Sequence, residues 1–306
     1  MPAAKFSRAQ IVEVRSCAEI LATLDAQGKL DGMPFMPEMA RYCGGRYAVH
    51  RRAERSCVAG SGMRRLHSTV FLLELRCDGA AHGGCQRGCL LFWKEAWLRP
   101  VAGAACAAPA DKLSEYERRR LAALPVHADD RYICQSTALH AASQPLSRWD
   151  IRPLLRDVRW GELSLRGLLA LVLRTAMHRL FGWRAEPRLT GTTARADKGD
   201  LNLQAGEAVR VKERAQLREH LDARGGNCGL IFQPTMYEAI GGRYRVAFPV
   251  TRIILEQSGK MVTLEHTVAL DGMTCQGPHA ANCPRNEYLY WRECWLQRDT
   301  RTDETT

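Results

Sequence analysis

The stretch Trp93-Lys94-Glu95-Ala96-Trp97-Leu98 recurs as Trp291-Arg292-Glu293-Cys294-Trp295-Leu296, and that recurrence decides how the chain is divided. Working back from it, Thr69-Val70, Cys77, Gly79 and Cys85 match Thr267-Val268, Cys275, Gly277 and Cys283 in one register. After a single-residue insertion is allowed, Gly44-Gly45-Arg46-Tyr47-Ala48-Val49 matches Gly241-Gly242-Arg243-Tyr244-Arg245-Val246, and Arg55 matches Arg252. Phe35, Pro37 and Met39 then match Phe232, Pro234 and Met236, Leu24-Asp25 matches Leu221-Asp222, and Val12 matches Val209. Self-similarity in a fixed register marks a duplicated unit. Two copies of one domain are expected at residues 10–101 and 204–299, with a different segment, 102–203, between them.

Within each copy the apolar residues alternate over short runs separated by glycine-bearing turns, which is strand patterning. Val12-Glu13-Val14, Tyr47-Ala48-Val49, Thr69 to Leu72 and Trp93 to Leu98 are read as strands, with a short helix from Ala18 to Ala26 and its counterpart from Ala215 to Ala223. A closing strand from Trp93 to Leu98 places Trp93, Glu95 and Trp97 on one face, because side chains alternate with period two. A glutamate buried between two tryptophans needs a partner, and Arg46, or Arg243 in the second copy, is the expected one. The fold class that follows is α+β: two tandem SH3-like small β-barrels joined by a helical insert.

The insert has its own character. Val101 to Ala110 reads as a linker, residues 111–124 as a polar helix, the region around Trp149 to Leu155 as another, and Leu163 to Phe181 as an apolar helix. Arg166, Arg174, His178 and Arg179 interrupt that last run, so it is no membrane span. Its apolarity predicts burial against the barrels or a partner chain. Glu186 to Gly199, with Pro187, Gly191 and two threonines, reads as a mobile loop.

Four soft ligand atoms fall within Cys77-Asp78-Gly79-Ala80-Ala81-His82-Gly83-Gly84-Cys85-Gln86-Arg87-Gly88-Cys89. Zinc takes four Cys or His ligands in a tetrahedron, and the glycines permit the tight turns this needs. Cys77, His82, Cys85 and Cys89 are therefore expected to hold one structural zinc. Cys57, which becomes Ile254 in the second copy, is an alternative to His82. The second copy keeps Cys275 and Cys283 but has Glu287 for Cys89 and Ala280 for His82, with His279 one position earlier; decay of a structural site explains this with the fewest assumptions. The bland reading of the first loop is a cysteine-rich turn without metal.

Arg41, Arg46, Arg51, Arg52, Arg55, Arg64 and Arg65 crowd the first copy, answered by Arg243, Arg245 and Arg252 in the second. Guanidinium forks suit phosphate or sulfate, and an ion-paired surface is the alternative. Arg46 and Arg243 stand out at equivalent places after a Gly-Gly turn, and with Glu38, in the rigid segment Pro34 to Met39, they form the candidate catalytic set. Cys134 and His140 are a weaker nucleophile and base pair, since burial of the thiol is the simpler reading. No phosphate-binding loop, nucleophile elbow or dinucleotide fingerprint occurs.

A net charge of +11 and a pI near 9.2 favour an anionic partner. Twelve cysteines without a pairing framework, and no leader pattern in Met1 to Arg8, suggest a cytoplasmic chain.

Asp31-Gly32-Met33-Pro34-Phe35-Met36-Pro37-Glu38-Met39, Tyr42-Cys43-Gly44 and the run from Cys77 to Leu98 resemble a family of small bacterial Cys/His-knuckle proteins found among polysaccharide and natural-product biosynthesis genes. A second resemblance is to the larger subunit of azinomycin-type aziridine-forming enzymes, from which no individual residue is carried over. Together these resemblances imply a biosynthetic enzyme or enzyme subunit acting on a small anionic amino-acid substrate. The substrate can be delivered on an acidic carrier protein, and a small partner subunit can be required. The reaction implied is aziridine closure by intramolecular displacement of sulfate, which needs positioning, donors to the leaving sulfate and a base, but no cofactor. The competing class is a basic binding module for nucleic acid or protein, although the tryptophans read as core and form no stripe for stacking bases.

Overall fold

A computed structural model describes residues 6–105, 113–147, 150–181, 188–192, 197–275, 277 and 283–299. The chain forms two compact units, and their limits do not follow the repeat boundaries. The first unit comprises residues 1–175 with 254–261 and 279–286; the second comprises 176–253, 262–278 and 287–306.

The first unit is built on a five-stranded antiparallel sheet in the order Leu90–Lys94, Thr69–Arg76, Arg46–Arg52, Ile11–Val14, Leu98–Pro100. Leu90–Lys94 and Leu98–Pro100 are consecutive in sequence yet occupy opposite edges, joined only by the 3-10 turn Glu95–Trp97. A connection that short can link opposite edges only if the sheet curls until they meet. The expected single closing strand is therefore two strands with a corner between them. The corner sends both Trp93 and Trp97 inward, each fully buried.

The second unit repeats this with Tyr288–Arg292, Thr267–Thr274, Arg243–Pro249, Ala208–Val211 and Leu296–Arg298, and its corner is Glu293–Trp295. Even details recur. Val12 pairs with Tyr47 and Val209 with Tyr244. Phe35 meets Trp97 edge-on at 5.5 Å, and Phe232 meets Trp295 edge-on at 5.2 Å. The chain is thus a duplicated small half-barrel of α+β class.

The corner glutamates do not take the expected partners. Glu95 pairs with Arg52 at 2.7 Å, both side chains 2% exposed, whereas Arg46 turns outward to Glu13. Pro249 replaces Arg52 in the second repeat, and Glu293 instead accepts the backbone N–H groups of Asn202 and Leu203, both at 2.9 Å. One buried carboxylate is satisfied by a cation and the other by amides, and either meets the demand that a buried charge be partnered.

Three of the seven arginines clustered in the first repeat tie the insert down. Arg55 pairs with Asp157, Arg65 with Asp150, and Arg64 donates to the Ser143 hydroxyl at 2.8 Å. Helix Arg152–Arg159 is held by these contacts and by Arg156 to Glu54 at 3.1 Å. Helix Glu115–Ala122 starts at a capping box in which Ser114 and Glu117 exchange hydrogen bonds. Gln135 plugs the sheet edge: its side-chain amide accepts from Phe92 N and donates to Phe92 O, both at 2.8 Å, as a neighbouring strand would.

Helix Leu165–Phe181, expected to bury its apolar side chains against the barrels or a partner chain, leaves Leu165, Leu169, Val172 and Leu173 exposed in the single chain, with Leu165 at 72%. The described parts of the expected mobile loop are anchored in the second unit. Leu189 is buried and its N–H donates to the Tyr237 hydroxyl at 2.6 Å, while Gly191 N–H donates to Asp222 O. A Cβ on Gly191 would lie 2.0 Å from Arg218 O, so only glycine fits there. Pro187, Thr193 and Trp149 lie outside the described residues. Among the described residues no helix is long and apolar enough to cross a membrane.

Candidate functional site

Glu38 lies in the 3-10 turn Pro37–Tyr42, where proline at the first position presets the backbone. Across from it the knuckle loop folds on itself: Cys77 N donates to Cys89 O, while His82 N and Gly84 N both converge on Gly79 O. Gly79 makes this possible, with a φ of 69° and a position where a Cβ would sit 2.2 Å from Cys85 O.

This loop carries His82 into the interior, against Glu38. Glu38 Oε1 accepts from His82 Nδ1 at 2.6 Å and from Ala81 N at 3.1 Å, and His82 Nε2 donates to Ile133 O at 3.0 Å. Both ring nitrogens face oxygen atoms, an arrangement that favours the imidazolium form. Burial alone would lower its pKa, but the hydrogen bond and charge of Glu38, helped by Ile133 O, outweigh burial and raise it. The other carboxylate oxygen, Glu38 Oε2, is buried and has no hydrogen-bond partner among the described residues.

Beside this pair runs a groove of about 600 Å³. Pro37, Ala40 and Arg41 from the Glu38 turn, Ala81 from the knuckle, and Arg118 and Leu121 from the capped insert helix help to line it. Its walls are largely apolar, with Arg41 and Arg118 among the lining residues. Arg41 pairs with Asp78 and donates to the Tyr42 hydroxyl at 2.7 Å, and Arg118 pairs with Glu115 at 3.1 Å.

Of the residues singled out from sequence, Glu38 and His82 are brought together, and Arg46 and Arg243 are not part of that site. Arg46 Nε lies 3.4 Å from Glu13, and Arg243 Nε lies 3.1 Å from Asp299 in the other unit. Cys134 sits at the start of helix Gln135–Ala138, where burial pushes its thiol up, so it is a poor nucleophile.

The knuckle cysteines have protein partners. Cys77 Sγ accepts the Gly79 N–H at 3.4 Å, and Cys85 Sγ accepts the Ile254 N–H at 3.3 Å. Among the described residues no three His, Cys, Asp or Glu side chains converge as metal ligands. Cys77, Cys85 and Cys89 carry the thiols that a zinc ion would take, and His82 would join them only by releasing Glu38 or Ile133. His279 and Ala280 lie outside the described residues.

A second constellation escaped sequence reading. Within the first unit, Cys85 meets Ile254 as Cys283 meets Cys57, whose N–H its Sγ accepts at 3.3 Å. Arg87 Nη1 donates to Ile254 O at 3.3 Å, and Arg285 Nη1 to Cys57 O at 2.7 Å. In repeat register these are the same contacts made twice, each knuckle gripping the other repeat's hairpin. Symmetry breaks at Glu256, the counterpart of Ala59. Its carboxylate gathers Arg87 at 3.1 Å, Arg285 at 2.7 Å, Ser136 Oγ at 3.1 Å and Ala59 N at 2.8 Å. Burial raises this carboxyl, but the charge of Arg285 and its neighbours brings it below the ordinary value. The one available sequence signal was an Ala-to-Glu exchange between otherwise matching repeats.

Comparison with family models, curated proteins and solved structures returns no match.

Proposed function

We propose that the chain is an enzyme or enzyme subunit that binds a small substrate with an apolar body and an anionic end in the groove beside Glu38 and His82. The observation that carries this reading is the buried Glu38 carboxylate, with one oxygen fixed by His82 and Ala81 and the other without a partner among the described residues, in the turn whose Pro37, Ala40 and Arg41 line a groove together with Arg118. A carboxylate with one idle buried oxygen is a proton acceptor that pays no reorganisation to act.

The chemistry this suits is ring closure by internal displacement on a sulfated amino-acid derivative. The amine nitrogen bonds to the neighbouring carbon, the carbon–oxygen bond to sulfate breaks, and Glu38 takes the proton released from nitrogen. Arg41 and Arg118 supply donors to the departing sulfate in place of Arg46 and Arg243. A basic chain also suits delivery on an acidic carrier protein. Each half-barrel is read as SH3-like, supported by the 3-10 corner that joins the two edge strands.

Turnover of sulfated and phosphorylated amino acids by the full chain, with any copurifying partner present, tests this reading. Release of sulfate that is lost in Glu38→Gln supports it. Tight, salt-sensitive binding of generic duplex or single-stranded nucleic acid, without turnover of any such substrate, overturns it in favour of a binding module.

A further inference from the structure

Cys57 belongs to strand Arg55–Val58, and Cys283 to the degenerate second knuckle, yet both lie in the first unit with their Sγ atoms 2.9 Å apart. That spacing is closer than two sulfurs held merely by packing, and longer than the roughly 2.05 Å of a covalent bond. Cys283 is 2% exposed and Cys57 is half-buried, so the pair is reached from the Cys57 side. Val58 and Ala59, which follow Cys57, line a cavity of about 170 Å³, large enough for several water-sized molecules. The backbone N–H of Cys57 points at Cys283 Sγ, and the Arg285 guanidinium lies on the Cys57 carbonyl, contacts that fix the two sulfurs facing each other.

We propose that Cys57 and Cys283 are an oxidation site that closes to a disulfide when the protein meets a hydroperoxide. The Cys283 thiolate attacks one peroxide oxygen, the O–O bond breaks, and a sulfenic acid and hydroxide form. The Cys57 thiol then attacks the sulfenic sulfur, the S–S bond forms, the S–O bond breaks, and water leaves. Two thiols give up two electrons and two protons, and the peroxide is reduced to two waters.

The duplication supplies an internal control. Cys85 is placed against Ile254 by an N–H contact of the same 3.3 Å length, but the second thiol is missing there. Cys17 and Cys43 also interact through their side chains, but both are 2% exposed in the core, where a peroxide has no access.

The test is peptide mapping of the full chain after treatment with an equimolar amount of hydrogen peroxide, alkylation and digestion without reduction. The expected result is one linked peptide pair containing Cys57 and Cys283, with two alkylatable thiols lost and both regained on reduction. In the variant Ile254→Cys, given two equivalents of peroxide, a second link from position 254 to Cys85 is expected. In Cys57→Ser, one equivalent leaves Cys283 as a sulfenic acid that dimedone traps, because no thiol resolves it, and a second equivalent carries it to sulfinic acid. Cys57 and Cys283 both remaining alkylatable, or oxidation falling on Cys17 and Cys43 instead, would overturn the assignment, and wild-type mapping alone decides this even if a variant fails to fold.

Discussion

Glu38 Oε1 lies 2.6 Å from His82 Nδ1 with both side chains at most 2% exposed, so the knuckle of the first repeat is closed from inside by an ion pair. The loop's glycines, its converging backbone donors and the Ile133 carbonyl all serve to hold that histidine in place. Glu38 Oε2 has no partner among the described residues, and its neighbours in the turn, Pro37, Ala40 and Arg41, line the groove. Structure and proposed chemistry therefore rest on one contact.

The pair makes stability depend on pH in a stated direction. The folded pKa of His82 is raised above its unfolded value near 6.5. Its contribution is therefore complete below about 6.5 and is lost as pH rises through the folded value. His82→Ala should cost about 3 kcal/mol at pH 5.5, the scale for breaking a buried pair, and less at high pH. Urea unfolding at both pH values checks this. Equal losses at both, or one zinc per chain that disappears with the variant, would replace the ion pair with the four-ligand site.

Glu162 gives a second pH dependence from the same unit. Burial is the main cause that pushes its carboxyl up to about 7, although Arg52 N–H donates to it. Because the folded value lies above the unfolded one, stability present below about 4.5 falls as pH rises towards 7. Glu162→Gln keeps an acceptor for Arg52 N–H and removes the charge. The variant should show a flatter melting-temperature profile between pH 5 and 7.5, and an unchanged slope would refute the assignment.

Gly79 is the hinge of the knuckle. Gly79→Ala puts a Cβ into Cys85 O at a positive φ, and relieving the clash must move the loop that carries His82. A loss of about 2 to 4 kcal/mol is expected, together with faster amide exchange at Gly84 and Cys85, whereas Gly62→Ala meets nothing within 4 Å and costs less. Equal costs for the two variants would show that the knuckle is not tightly built.

One defect of the second repeat can be repaired. Trp97 Nε1 donates to Thr23 Oγ1 at 3.0 Å, but among the described residues the buried Trp295 Nε1 has no partner, because His220 stands where Thr23 would be. His220→Thr should restore the bond and stabilise the chain by about 1 kcal/mol. Differential scanning calorimetry would show it as an increase of a few degrees, and a lower melting temperature would contradict it.

The duplication was legible because strand patterning, paired glycines and the two Trp-Glu-Trp corners repeat in a fixed register. The corner itself was not, since a 3-10 turn of three residues leaves the period-two pattern nearly intact. Arg52 was hidden as the partner of Glu95 because Pro249 occupies its place in the other repeat. Glu38 and His82 were each singled out, but nothing local joins residues so far apart. The exchange of Cys85 with Ile254 and Cys283 with Cys57 was likewise invisible, being made of contacts across more than half the chain.

The most direct measurement is the titration of the His82 ring by NMR in the wild-type chain and in Glu38→Gln. The wild-type ring is expected to titrate above the ordinary value near 6.5, and lower once the Glu38 charge is removed. A ring that titrates at or below 6.5, or one that stays neutral and is unmoved by Glu38→Gln, would contradict it.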